Sequence, residues 1–144
     1  MKLAITYFDP ELPEFGGEDP LIVELVREMP GSDRTDYWLA KLPSPIRWTW
    51  KKFTCEVTHI VVVAKWEGTK VMPGVSDLPV EIAFVTDQRV LSSDALDFGK
   101  CMHIADALAW DFEAGNKPSG RILRGFIRPA WGRLGKAKSK DSGP

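Results

Sequence analysis

A single α+β domain is the fold class the sequence predicts: a mainly antiparallel sheet packed by one long helix over about 98–114. Three observations carry this. Thr54 to Trp66 is rich in β-branched residues (Val57, Ile60, Val61, Val62, Val63) suited to a pleated, buried surface. Ile46, Trp48 and Trp50 alternate with Arg47, Thr49 and Lys51, the pattern of a half-buried strand. Cys101, Ile104, Ala105, Leu108 and Phe112 recur at helical spacing and form an apolar stripe, with Lys100, His103, Asp106 and Asp111 mostly away from it.

The remaining elements follow along the chain. Lys2 to Phe8 alternates, with Leu3, Ile5 and Tyr7 on one face, and reads as a first strand. A turn-rich loop runs from Asp9-Pro10 to Gly16-Gly17. Asp19-Pro20 then resembles an N-cap followed by proline at the first helical position. Leu21, Ile22, Leu25, Val26 and Met29 fit a shorter N-terminal helix over about 20–29 that Gly31 ends. The run Leu21 to Val26 reads equally well as a strand, because short apolar runs are ambiguous by periodicity. Pro43-Ser44-Pro45 separates this front section from the strand-rich middle. Gly68 and Met72-Pro73-Gly74 mark turns, and Val80 to Val85 is a further strand. Arg89 to Leu91 reads as a short strand. Asp94 and Asp97 lead into the long helix, where negative charge favours the helix dipole, and Gly115-Asn116 stops it. Arg121 to Arg128 reads as one last strand. The expected organisation is one domain over 1–131 and a flexible basic tail over 132–144. No internal repeat is present.

Length and composition bound the function. A chain of 144 residues that is 44% hydrophobic and 27% charged has the ordinary globular mixture and enough material for one core. No apolar run approaches the roughly 18 residues of a membrane span, and the short apolar start before Asp9-Pro10 lacks the features of a signal peptide. Two cysteines make no disulfide framework, so free thiols in a reducing, cytoplasmic setting are expected. The net charge of −1 hides an asymmetry. Residues 1–45 carry nine acids against four bases and residues 46–116 ten against seven, whereas residues 117–144 carry eight bases and one acid. Such polarity points to an acidic or polyanionic partner for the basic end, or to attraction between the two ends of the chain.

Catalytic and metal chemistry finds little support at this level. Cys55 and His59 share a face of a strand but lie about 13 Å apart at roughly 3.3 Å per residue, too far for one zinc ion. Cys101 and His103, on a helix, point roughly 200° away from each other. A Cys101–His59 dyad between helix and sheet is the sharper version of the idea. The apolar neighbours Met102, Ile104 and Ala105 and the nearby acids favour an inert buried thiol instead. Glycine-rich phosphate loops are absent, and Gly74-Val75-Ser76-Asp77-Leu78 lacks the second glycine of a nucleophile elbow. Neither a metal nor a cofactor is implied.

The six tryptophans are the least routine feature. If the Trp48/Trp50 face is core, those side chains are packing. If it is surface, Tyr37, Trp38, Trp48 and Trp50 make an aromatic patch rimmed by Arg47, Lys51 and Lys52, the residue types of interface hot spots. At the basic end Arg121, Arg124, Arg128 and Arg133 interleave with Phe126 and Trp131, and Lys136, Lys138 and Lys140 follow. That mixture also suits nucleic acid, although an overall pI near 6.1 does not. The expectation is a non-enzymatic binding protein acting on another macromolecule, most simply a protein or a second copy of the chain. Its binding residues are Tyr37, Trp38, Arg47, Trp48, Trp50, Arg124, Arg128 and Trp131. Nucleic-acid binding through 121–140, and a small enzyme using His59 or Cys101, are the two alternatives.

Overall fold

The computed structural model describes residues 1–6, 20–66 and 68–115. Six strands, β1 (Lys2–Thr6), β2 (Leu21–Glu28), β3 (Trp38–Trp50), β4 (Phe53–Ala64), β5 (Leu78–Val85) and β6 (Cys101–Asp111), follow one another in order. Each pairs antiparallel with the next, and β1 also pairs with β6, so the sheet closes into an up-and-down barrel. Closure pairs both outermost strands of the sheet, β1 and β6, while the distal part of the β3–β4 hairpin extends beyond its other neighbours as a two-stranded ribbon. Among the described residues the only helical turns are two short 3-10 segments, Gln88–Ser92 and Phe98–Lys100. None is long or apolar enough to cross a membrane. The expected strand over 121–128 and the tail over 132–144 lie outside the described residues.

The α+β expectation is therefore corrected to an all-β barrel, and each error has a physical cause. The expected helix over 98–114 is β6, preceded by a 3-10 turn in which Asp97 accepts a hydrogen bond from the Gly99 amide. Ala105, Ala107 and Ala109 belong to the barrel interior, yet the intervening Asp106, Leu108 and Trp110 are buried as well. A strand buried on both faces loses its polar alternation and reads as a continuous apolar run, in which a helical stripe is easily found. Segment 20–29, readable as either a helix or a strand, takes the strand alternative as β2, with Leu21, Val23 and Leu25 buried in alternation and β1 and β3 paired on either side. Arg89 to Leu91 is a 3-10 turn, not a strand. Pro43-Ser44-Pro45 does not divide the chain but lies inside β3, where the register with β4 shifts between Lys41 and Ile46. A shift of this kind accommodates residues that have no N–H to donate.

Two apolar clusters hold the fold. The interior is filled by Leu3, Ile5, Leu21, Val23, Val57, Ile60, Val62, Ile82 and Phe84, with Trp48 closing the end nearest the β3–β4 turn. Small alanines on β6 make room for the large side chains facing them. A second cluster lies on the outside of the wall, where Met29, Leu39, Val61 and Val85 are covered by Val90 and Leu96. The covering segment is tied down by the Arg27 guanidinium, which donates to the carbonyls of Leu91 (3.1 Å) and Ser93 (2.5 Å). The Leu96 amide donates to the Pro30 carbonyl at 2.9 Å.

Candidate functional site

With the interior packed, chemistry is left to the outer surface, and two places stand out. The first is the tip of the β3–β4 hairpin. Here Trp48 pairs with Cys55, Thr49 with Thr54 and Trp50 with Phe53, joined through Lys51-Lys52. Lys51 adopts a left-handed φ of 55°, a conformation the tight reversal demands of a residue that is not glycine. Trp48 is buried, at 4% exposure, with its ring 5.3 Å edge-to-face from Phe84 and 6.4 Å from Phe53. Trp50 and Phe53 are 48% and 43% exposed. The Lys51 ammonium sits 4.5 Å above the Trp50 ring. Lys52 in the turn and Arg47 farther along β3, opposite Glu56, are exposed as well.

The second place is a groove of about 290 Å³ on the outer wall, where Tyr37, Val61 and Ala83 meet Leu96 and Phe98 of the covering segment, with Glu81, Cys101 and His103 also lining it. Tyr37 stands edge-on to Phe98 at 5.4 Å and donates its hydroxyl hydrogen bond to Asp33. Burial first, and then that carboxylate, push the phenol up to about 12. Gly31 lies under this pair: an added Cβ would stand 2.7 Å from the Tyr37 ring and 3.1 Å from Phe98.

Beside the groove is a polar cluster. Glu81 and Asp106 are direct partners across β5 and β6. His103 is three residues from Asp106, a spacing that strand alternation would put on opposite faces. The register shift at Ile82/Ala83, where Ala105 and His103 oppose consecutive residues of β5, leaves Ile104 as the extra residue and turns His103 to the same side. Asp106 is 2% exposed, and one of its oxygens, Oδ2, accepts from the buried Lys65 ammonium. Burial alone would raise the Asp106 carboxyl; His103 and Lys65 outweigh it and hold the group below its ordinary value. The other oxygen, Oδ1, is buried with no hydrogen-bond partner and lies 3.8 Å from His103 Nε2, beyond hydrogen-bonding distance. One ligand atom each from Glu81, His103 and Asp106 fall within 4.8 Å of one another.

The aromatic residues singled out from the sequence do not form one patch. Trp48 is core and Trp50 surface. Trp38 packs against the interior cluster at the far end of β3, and Tyr37 packs against the outer cluster beside the groove. Arg47 is exposed opposite Glu56. Arg124, Arg128 and Trp131 lie outside the described residues. His59 and Cys101 are not brought together: β5 runs between their strands, and the fully buried Val85 pairs directly with Cys101. Burial, with Asp97 adding to it, pushes the Cys101 thiol up to about 11, so it is protonated at neutral pH. Burial lowers the His59 imidazole, and Lys41 adds to that; its Nδ1 shares a 2.8 Å hydrogen bond with Thr58 Oγ1.

Sequence reasoning passed over Glu81, Lys65, His103 and Asp106 as a group. One signal was present: Asp106 is the only charge in the run Ile104 to Trp110, and an acid inside an apolar stretch is usually buried with a partner. The helix reading pointed Cys101 and His103 apart, whereas on β6 they sit two residues apart and both line the groove. Comparison with known proteins adds no family to this picture: no protein-family model, curated protein or solved structure matches the chain.

Proposed function

We propose that the protein is a binding module that docks through the β3–β4 hairpin tip onto an acidic protein surface. The observation that carries this reading is the exposed Trp50/Phe53 pair flanked by Lys51 and Lys52 in the turn, with Arg47 exposed farther along β3. Aromatic and arginine side chains supply most of the energy of typical interfaces. Two features favour a protein over a nucleic acid. Residues 1–116 carry nineteen acids against eleven bases, so that part of the chain has a net negative charge that a polyanion must approach against. Lys51 also covers one face of Trp50, where a base would stack.

The test compares the full chain with Trp50→Ala/Phe53→Ala and Lys51→Glu/Lys52→Glu as baits in native lysate at low and high salt. An acidic protein held by the wild type and lost from both variants supports the reading, once direct binding is reproduced with the purified pair. Identical capture by all three baits overturns it. Tip-dependent binding of a single-stranded oligonucleotide that falls steeply with salt would replace it with the nucleic-acid reading. A self-associated wild type that both variants convert to monomer would make the partner a second copy.

A further inference from the structure

We propose that Glu81, His103 and Asp106 form a binding site for one zinc ion, with an open coordination position facing the outer groove. Three observations converge. The donor set, one imidazole nitrogen and two carboxylate oxygens, is one zinc accepts, and three protein ligands with a vacant position is the arrangement of open zinc sites. Asp106 Oδ1 is buried without a hydrogen bond, and His103 Nε2 stands 3.8 Å from it, so the cluster contains a buried acceptor left unbonded beside a second potential ligand atom. The bulge at Ile104 re-aims His103 onto the face of Glu81 and Asp106, which strand alternation alone would not do.

Lys65 fits this arrangement as a supporting group. Its ammonium holds Oδ2 of Asp106 and leaves Oδ1 free, as a hydrogen-bonded partner does for a ligating carboxylate. With Lys65 paired, Glu81 and Asp106 leave one uncompensated negative charge for a cation to meet. Zinc bonds of about 2.0–2.2 Å place tetrahedral ligand atoms about 3.3–3.6 Å apart, so the ligands must close in by about 1 Å. Glu81 is half-buried and His103 exposed, and both line the groove, so the closure falls to these two side chains while the buried Asp106 stays in place.

The test is calorimetric titration of the metal-stripped full chain with zinc chloride. The expected result is one ion per chain with a dissociation constant on the order of 1 μM or tighter. Glu81→Gln and His103→Ala should each weaken binding at least about tenfold, with their folding confirmed by circular dichroism. Cys101→Ser and His59→Ala should bind as the wild type does. The proposal is overturned by an absence of saturable binding at one ion per chain. Undiminished affinity in Glu81→Gln and His103→Ala overturns it too, as does loss of binding in Cys101→Ser or His59→Ala.

Discussion

Trp48 and Trp50 are two positions apart on one strand, yet they meet opposite environments. Trp48 packs edge-on against Phe84 inside the barrel, while Trp50 lies beyond the end of the core, where the hairpin projects. Trp48→Ala should cost about 3–5 kcal/mol in urea unfolding, the range for deleting a buried aromatic. Trp50→Ala should change stability by no more than about 0.5 kcal/mol while abolishing partner capture. The Lys65–Asp106 pair makes the complementary point about charge. Lys65→Met leaves a buried carboxylate without its ammonium and should destabilise by about 3–5 kcal/mol. The double variant Lys65→Met/Asp106→Leu should recover much of that loss, because no charge is then stranded. The pH dependence has a definite sign. The folded chain holds the Asp106 carboxyl below its ordinary value of 3.8. Its contribution is therefore complete above that value and lost as the pH falls through the lower folded value. Melting curves between neutral pH and pH ~3 should fall less steeply for the double variant than for the wild type.

At the scale of elements, β6 is decided by its neighbours. Its alanines have high helix propensity, and Cys101, Ile104, Ala105 and Leu108 satisfy a helical stripe, so local preference argues against the conformation it adopts. Pairing with β5 over most of its length and with β1 near its end supplies hydrogen bonds on both sides and outweighs that preference. Ala105, Ala107 and Ala109 then serve as the small residues of a narrow interior. Ala107→Leu should overpack the barrel and destabilise it by about 1–3 kcal/mol, read as a shift of the urea midpoint. The same change on the outer face of a helix would be nearly neutral, so the experiment separates the two conformations. β3 and β4 contrast with β6. Their alternation and β-branched content favour strands without help from outside, and β4 and the Ile46 to Trp50 part of β3 were legible along the chain. The first part of β3, which runs on through Pro43 and Pro45, was hidden, because prolines normally end a ladder.

For the molecule as a whole, what could be read along the chain was the strand character of β1, β4, β5 and the second part of β3, the free thiols, the concentration of aromatic and basic residues near 47–53, and the charge asymmetry between the two ends. These rest on composition and on short-range alternation, which any window of the chain displays. Tertiary structure decided the rest. Closure of β1 on β6 joins residues about a hundred positions apart, and nothing local encodes that pairing. It made a strand of the helix-like β6 and resolved the ambiguous segment of β2 as one, because each gained a hydrogen-bonded neighbour on both sides. It also sorted the aromatics, sending Trp48 inward and leaving Trp50 outside. The Glu81–His103–Asp106 cluster exists only because β5 and β6 lie side by side with one extra residue in β6. Spacing along the chain cannot show such a site, since its geometry comes from register between strands and from a bulge that reverses the face of one of its members.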